Sequence, residues 1–203
     1  MITVIAGVNG AGKSSIAGTW LREAGGEYFN PDEVARQLRA EDPELVQYDA
    51  NARAWQIGFD HLLNAIKHDS DYTFETTLGG NSITQKLQNA ITKGVHIRIF
   101  YVGLSSVELH IERVRHRVSQ GGHDIPEAKI HERFTRSLHN MMTLLPGCAE
   151  VQVYDNSAPI CRGKPGIKKL FVVKDGSVCM KEQELPTWAK PLAAVALKNM
   201  PKG

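Results

Sequence analysis

Residues Gly7 to Ser14 read GVNGAGKS, a glycine, four free positions, then Gly-Lys-Ser. Residues of these types at this spacing hold phosphate. Gly7, Gly10 and Gly12 let the backbone bend until successive N–H groups point inward at phosphate oxygens, and a helix N-terminus just beyond adds dipole charge of the right sign. Asn9, Ala11 and Ser15 complete the candidate nucleotide-binding stretch. Lys13 is placed to reach the β- and γ-phosphates, and the Ser14 hydroxyl can coordinate the Mg²⁺ that accompanies a nucleoside triphosphate. The loop therefore predicts ATP or GTP with Mg²⁺ as cofactors, and leaves open what becomes of the phosphate.

Phosphoryl transfer to an acceptor needs a carboxylate to orient or deprotonate the attacking hydroxyl. Asp32, in FNPDEVAR, is the candidate base, although an acid there also suits a helix N-terminus by charge alone. Asn30 stands beside it as a candidate substrate contact. Glu75, in FETTLGG, has apolar and β-branched neighbours, where an unpaired carboxylate is costly, so a substrate hydroxyl or a metal-bound water would serve as its partner. Thr76 and Thr77 could donate to the same substrate, or be ordinary strand residues. The apolar run Val95 to Val102 ends in Gly103-Leu104 without an aspartate. The usual Walker-B acid is missing there, which favours a small-molecule kinase over a motor or switch ATPase.

Five arginines, Arg113, Arg115, Arg117, Arg133 and Arg136, lie on either side of Gly121-Gly122. Arg113 and Arg117 share one helical face, and Arg133 and Arg136 another. Carried over a triphosphate by a helical hairpin, a lid at about 113–136, they would neutralise charge developing in phosphoryl transfer. Each also has Glu108, Glu112 or Glu132 nearby as an alternative partner on a solvated face. Five of the eight histidines fall between His110 and His139 without metal-ligand spacing at strand ends. Most of them read as surface residues, with His123 in the turn set apart as a substrate contact.

The elements that must position these groups follow from the apolar pattern. Ile2 to Ala6 is a strand leading into the loop, and Ser15 to Glu23 has helical character. Glu27 to Asn30 reads as a short second strand, and Pro31 opens a helix to about Ala40. From Glu44 to Lys67, Leu45, Tyr48, Ala52, Trp55, Phe59, Leu62, Leu63 and Ile66 recur at three- and four-residue spacing, predicting one long helix with a kink near Gly58. Tyr72 to Thr76 is a strand. Ser82 with Gln85, and Ser105 with Glu108, are capping-box pairs that open the next two helices, on either side of a strand at Val95 to Val102. A helix from Pro126 turns Ile130, Phe134, Leu138 and Met141 inward. Glu150 to Tyr154 is a fifth strand, Lys169 to Val173 and Val178 to Lys181 form a hairpin about Asp175-Gly176, and the tail after Pro186 has no clear pattern. Strands alternating with helices predict an α/β P-loop NTPase fold, a nucleoside-monophosphate-kinase-like parallel sheet covered on both faces, with ligands beyond the carboxyl ends of the strands.

The chain has 203 residues, enough for one well-cored domain, residues 1–203, with a C-terminal hairpin and tail at about 168–203. A net charge of +2 gives no bulk attraction for nucleic acid or membrane. Cys148, Cys161 and Cys179 are odd in number and lack CxxC spacing, which suits a reducing cytoplasm better than a disulfide framework or a zinc site. No apolar run approaches a membrane span or a signal-peptide core, so the expected location is cytoplasmic.

GVNGAGKS, FNPDEVAR, FETTLGG and RVSQGGHDIPEAKIHERFTRSL together resemble the zeta-toxin family of P-loop kinases, in its compact chromosomal branch, over about Ile2 to Asn156. The resemblance implies phosphorylation of UDP-N-acetylglucosamine at the sugar 3′-hydroxyl using ATP and Mg²⁺. It also implies Lys13 and Ser14 at the nucleotide and metal, Asp32 as base, Glu75 and Thr76 on the sugar, and Arg117 and Arg133 on phosphate, with Arg113 as their competitor. Many members are held inactive by a small antitoxin, a candidate partner here. The GGH turn departs from the toxins' lid pattern and leaves the acceptor open. Two rival readings remain: a polynucleotide 5′-hydroxyl kinase, disfavoured by the balanced charge, and a nucleotide-binding regulatory ATPase with no small-molecule acceptor.

Overall fold

The computed structural model describes residues 1–14, 28–122, 124–161 and 164–200. Its strands are β1 (Ile2–Ala6), β2 (Tyr72–Thr76), β3 (Ile97–Gly103), β4 (Glu150–Cys161), β5 (Lys164–Lys174) and β6 (Ser177–Met180). Its helices are α1 (Pro31–Glu41), α2 (Gln47–His68), α3 (Asn81–Thr92), α4 (Val107–Ser119), α5 (Glu127–Leu144) and α6 (Lys190–Lys198). The six strands form one sheet in the order β2-β1-β3-β4-β5-β6. β2, β1, β3 and β4 run parallel, while β5 and β6 are added antiparallel. All five residues of β1 are buried, as a central parallel strand covered on both faces must be. This is the P-loop NTPase fold, with a mixed sheet where a parallel one is expected from sequence. The sheet turns mixed where β5 pairs antiparallel with β4, and the predicted hairpin follows at Asp175-Gly176, where both residues have positive φ (49° and 73°), the geometry of a two-residue hairpin.

Of the strand predicted over Glu27 to Asn30, Glu27 lies outside the described residues, and residues 28–30 hold a single bridge in place of a strand. Phe29 makes one parallel bridge to Phe74, its N–H donating to the Thr73 carbonyl and its own carbonyl accepting from Glu75 N. That bridge places Asn30 and the start of α1 at the end of β2. Asn30 is the N-cap of α1, accepting from Asp32 N and Glu33 N, with Pro31 in the first turn. The helix predicted over Ser15 to Glu23 lies outside the described residues.

Neither predicted capping box forms. α3 starts at Asn81 behind Gly80, without a side-chain cap, and α4 is capped by Ser106, which accepts from Leu109 N, rather than by Ser105. α2 begins at Gln47, three residues later than Glu44, and runs unbroken through Gly58. Gly58 is there for space: a Cβ on it would lie 2.5 Å from the Phe29 ring. The apolar face of α2 is also narrower than its sequence period suggests. Ala50, Ala54, Leu62 and Ala65 are buried, whereas Tyr48 is 81% and Trp55 42% exposed.

The main core runs from β1 through the sheet to the C-terminal segment. Trp188, Ala189, Leu192, Ala193 and Ala196 are all part of it, so the tail is an integral layer. The Trp188 indole donates to Asp155 Oδ1 at 2.9 Å and lies against Gly103 and Tyr101. A separate cluster joins Val8 of the P-loop to Ile111, Val114 and Ile130, packing the α4–α5 hairpin directly onto the phosphate loop. No helix among the described residues is long and apolar enough to cross a membrane.

Candidate active site

The P-loop leaves β1 at Ala6 and must turn at once. Gly7 has φ 146°, and a Cβ there would sit 2.2 Å from the Val102 carbonyl, so only glycine fits. The loop is then tied down from three distant parts of the chain. His110 Nδ1 lies 2.8 Å from the Asn9 carbonyl; because a carbonyl only accepts, Nδ1 carries the proton. Asn156 Nδ2 donates to the Ala11 carbonyl at 2.9 Å. Arg133 Nη1 donates to Asn9 Oδ1 at 2.7 Å.

Beyond the loop, Lys13 and Glu75 form a buried ion pair, Nζ to Oε1 3.5 Å, and Ser14 Oγ donates to Glu75 Oε2 at 2.8 Å. Asn30 Nδ2 reaches the same hydroxyl at 3.4 Å. β1 and β2 are direct parallel neighbours, with Ile5 opposite Glu75 in register. An acid on β2 therefore stands beside the P-loop hydroxyl, while the strand at Val95 to Val102, on the other side of β1, carries none.

Asp32, in the first turn of α1, faces a cleft of about 410 Å³ shared with Glu75, Thr76, Thr77 and Arg133. Arg117 Nη1 approaches Asp32 Oδ2 at 3.7 Å. Thr76 and Thr77 hydroxyls accept from Leu78 N and Gly79 N respectively, shaping the loop after β2 while still lining the cleft. Asn140 Nδ2 holds the same loop through the Leu78 and Gly80 carbonyls at 2.7 and 3.2 Å. The Tyr101 and Ser137 hydroxyls, 3.1 Å apart, tie α5 to β3. α5 is thus anchored in the core, and Arg133 is fixed with it. Burial pulls the Arg133 guanidinium below its ordinary pKa, opposed by the nearby Asp32 and Glu132 carboxylates.

The sequence-predicted residues Gly7, Asn9, Gly10, Ala11, Gly12, Lys13, Ser14, Asn30, Asp32, Glu75, Thr76, Thr77, Arg117 and Arg133 all fall around this loop and cleft. Ser15 and His123 lie outside the described residues. Arg113 turns away, its Nη2 donating to the Asn156 and Ala158 carbonyls at 2.7 and 3.5 Å, so it braces β4.

His110 is the exception to the reading of most of these histidines as surface residues: it is 1% exposed, packed edge-on to Phe134, and burial lowers its pKa to about 4. Its signal was present in the sequence, because with Val107, Ile111 and Val114 it completes the i, i+3, i+4, i+7 face of α4. Asn156, equally buried in function, was missed altogether.

The residues fit a nucleotide with its metal. Ser14 Oγ and the Glu75 carboxylate supply neighbouring hard oxygen donors of the kind Mg²⁺ prefers, and the loop amides with Lys13 would receive the phosphates. Among the described residues no group of three or more His, Cys, Asp or Glu is placed to hold a metal ion.

A family model described as an AAA domain matches residues 2–139. An uncharacterized protein of Haemophilus influenzae is 34% identical over 128 residues, covering 63% of this chain and 88% of that one. Among solved structures, the AvrRxo1-ORF1:-ORF2 complex with ATP superposes with a TM-score of 0.64 at 14% identity, over 97% of this chain and 63% of that one. The PezAT chromosomal toxin-antitoxin system of Streptococcus pneumoniae gives 0.56 at 15% identity, over 98% and 85%. At these identities the structural matches speak to the fold.

Proposed function

The chain belongs to that AAA-domain family, and from this premise we propose that it is an ATP- and Mg²⁺-dependent kinase transferring the γ-phosphoryl group to a hydroxyl of a small-molecule acceptor. The finer reading is a sugar hydroxyl of a UDP-sugar, of the UDP-N-acetylglucosamine type. The supporting observation is that Asp32 and Arg133 converge on one cleft that opens beside Lys13, Ser14 and Glu75. A regulatory ATPase needs no such room for an acceptor.

In this reading the acceptor hydroxyl gives its proton to Asp32 as its oxygen attacks the γ-phosphorus. The bond between that phosphorus and the bridging oxygen breaks, and ADP leaves. Lys13 and Arg133 neutralise charge on the transferred group, and Arg117, 3.7 Å from Asp32, is placed to follow it. Mg²⁺, held at Ser14 with Glu75 beside it, would offset charge on the β- and γ-phosphates. The likeness to the PezAT toxin-antitoxin system makes a small antitoxin the partner to look for.

The test mixes protein, ATP and Mg²⁺ with UDP-sugars, nucleosides and short oligonucleotides and reads the products by mass spectrometry. A phosphorylated UDP-sugar is expected, about 10²- to 10⁴-fold less of it with Asp32→Asn at unchanged ATP affinity, and weakened binding and transfer with Lys13→Ala. Inorganic phosphate as sole product, or full transfer by Asp32→Asn, would sink the reading.

A further inference from the structure

The loop after β2 is held in a conformation that its sequence does not favour. Leu78 has φ 50°, in the left-handed region that a bulky side chain rarely adopts, yet it is 1% exposed and part of the main core. A backbone of this kind persists only where its surroundings over-determine it, and such outliers gather at functional sites. Two of its restraints are local: the Thr76 and Thr77 hydroxyls accept from Leu78 N and Gly79 N. The third comes from 62 positions further along the chain, where the buried Asn140 of α5 donates Nδ2 to the Leu78 carbonyl at 2.7 Å and to the Gly80 carbonyl at 3.2 Å. The local bonds give the loop its shape, and Asn140 fixes that shape relative to α5.

Between the two carbonyls that Asn140 holds lies Gly79. A Cβ built on it would fall 2.6 Å from Arg133 Cγ and 3.1 Å from Arg133 Cβ, so the stem of the arginine rests directly on the Gly79 backbone. From that seat its guanidinium lines the cleft and reaches Asn9 of the P-loop. Arg133, Ser137 and Asn140 follow one another at i, i+4 and i+7, one face of α5, with Ser137 in the middle tied to Tyr101 of β3. The helix face that carries the arginine thus also carries the group that holds its seat. Arginine is among the most flexible of side chains, and confining its stem decides where its charge lies.

Resting on the kinase reading above, we propose that Asn140 is a positioning residue for phosphoryl transfer: by holding the Leu78 turn it keeps Gly79 under Arg133, and so keeps the guanidinium beside the transferred group. Asn140 acts through the loop, and Arg133 is the group that meets phosphate. Gly79 belongs to the same device, because any side chain there would lift the arginine from its place.

The probe is ADP with Mg²⁺, titrated by calorimetry with and without aluminium fluoride, which mimics the phosphoryl group in transfer and requires no knowledge of the acceptor. Asn140→Ala should bind ADP as the unaltered protein does, yet lose about ten- to a hundredfold in affinity for the fluoride complex, as misplacement of a catalytic group does. Gly79→Ala, which displaces Arg133 and leaves Asn140 in place, should give the same selective loss. The double variant should be no weaker than either single one, because both changes act through one arginine. Fluoride-dependent tightening that survives Asn140→Ala, or losses that multiply in the double variant, overturns the proposal and leaves the kinase reading standing. So does a loss of ADP affinity equal to that of the fluoride complex, which would make Asn140 a general prop of the fold. No tightening by fluoride in the unaltered protein would remove the kinase reading and the proposal with it.

Discussion

The two ends of the cleft are built on opposite principles. At the phosphate end, Asn9, Lys13, Glu75, His110 and Asn156 are buried, and their partners are P-loop groups, one another and Arg133. At the acceptor end, Trp55, Lys129 and Arg136 line the cleft roughly half exposed, and the charged pair meets a surface acid, Glu132. Buried, fixed dipoles act at low effective dielectric and need no rearrangement as charge develops, which is where electrostatic catalysis gains most. Exposed groups interact weakly until a ligand excludes water. The first end is therefore suited to chemistry and the second to selection, and perturbations should divide the same way: stability and nucleotide affinity at one end, acceptor preference at the other.

The largest stability effect expected at the buried end is a pH effect. His110 is neutral in the folded chain with a pKa lowered to about 4, whereas an unfolded histidine titrates near 6.5. Between those values the unfolded state binds a proton that the native state refuses, so stability is complete above about pH 6.5 and is lost as pH falls toward 4. The shift amounts to about 3 kcal/mol at most. Besides burial, Lys13 and Arg113 oppose the charged form, and the hydrogen bond to Asn9 partly offsets them. Urea denaturation from pH 7.5 to 4.5 should show the slope, and His110→Asn, which keeps a donor toward Asn9 and cannot titrate, should flatten it. An unaltered slope would mean that carboxylates elsewhere dominate and that the P-loop is not held in this way.

Asn156→Ala comes next. It strips the Ala11 carbonyl, itself buried, of its side-chain donor, at a cost of about 1–3 kcal/mol for an unsatisfied buried group. Because the lost bond braces the phosphate loop, the variant should show a lower melting temperature and a raised KM for ATP, with acceptor KM unchanged. Equal loss of both affinities would blur the division between the two ends.

How far the sequence disclosed this arrangement depended on the reach of each contact. The P-loop, the start of α1 at Pro31 and the Asp175-Gly176 hairpin are set by neighbours in the chain, and each is visible in a few residues. Asp32 and Glu75 were readable because strand ends in an α/β sheet converge whatever the loops do. The ties that hold the loop were not: His110 to Asn9 spans 101 residues and Asn156 to Ala11 spans 145. The strand order, which puts β2 rather than β3 on the acid side of β1, lies equally beyond local pattern. Trp55 failed differently. Periodicity placed it on an apolar face of α2, but the core takes only the alanine-rich side, Ala50 and Ala54, and leaves the aromatic stripe in solvent.

That stripe gives the smallest expected effect and the finest discrimination. Tyr48 and Trp55 stand two turns apart on α2, both exposed, and composition alone would treat them alike. Only Trp55 lines the cleft and only Trp55 is stacked, on Phe59. Tyr48→Ser should change stability by no more than about 0.5 kcal/mol, as substitutions at open surface sites do, and should leave acceptor KM and turnover where they were. Trp55→Ala, which removes part of the cleft wall, should raise the acceptor KM. If solvent exposure by itself decided what an aromatic residue of α2 contributes, the two variants would shift that KM alike. Measuring acceptor KM for the two side by side therefore separates a residue placed by the cleft from one merely left outside the core.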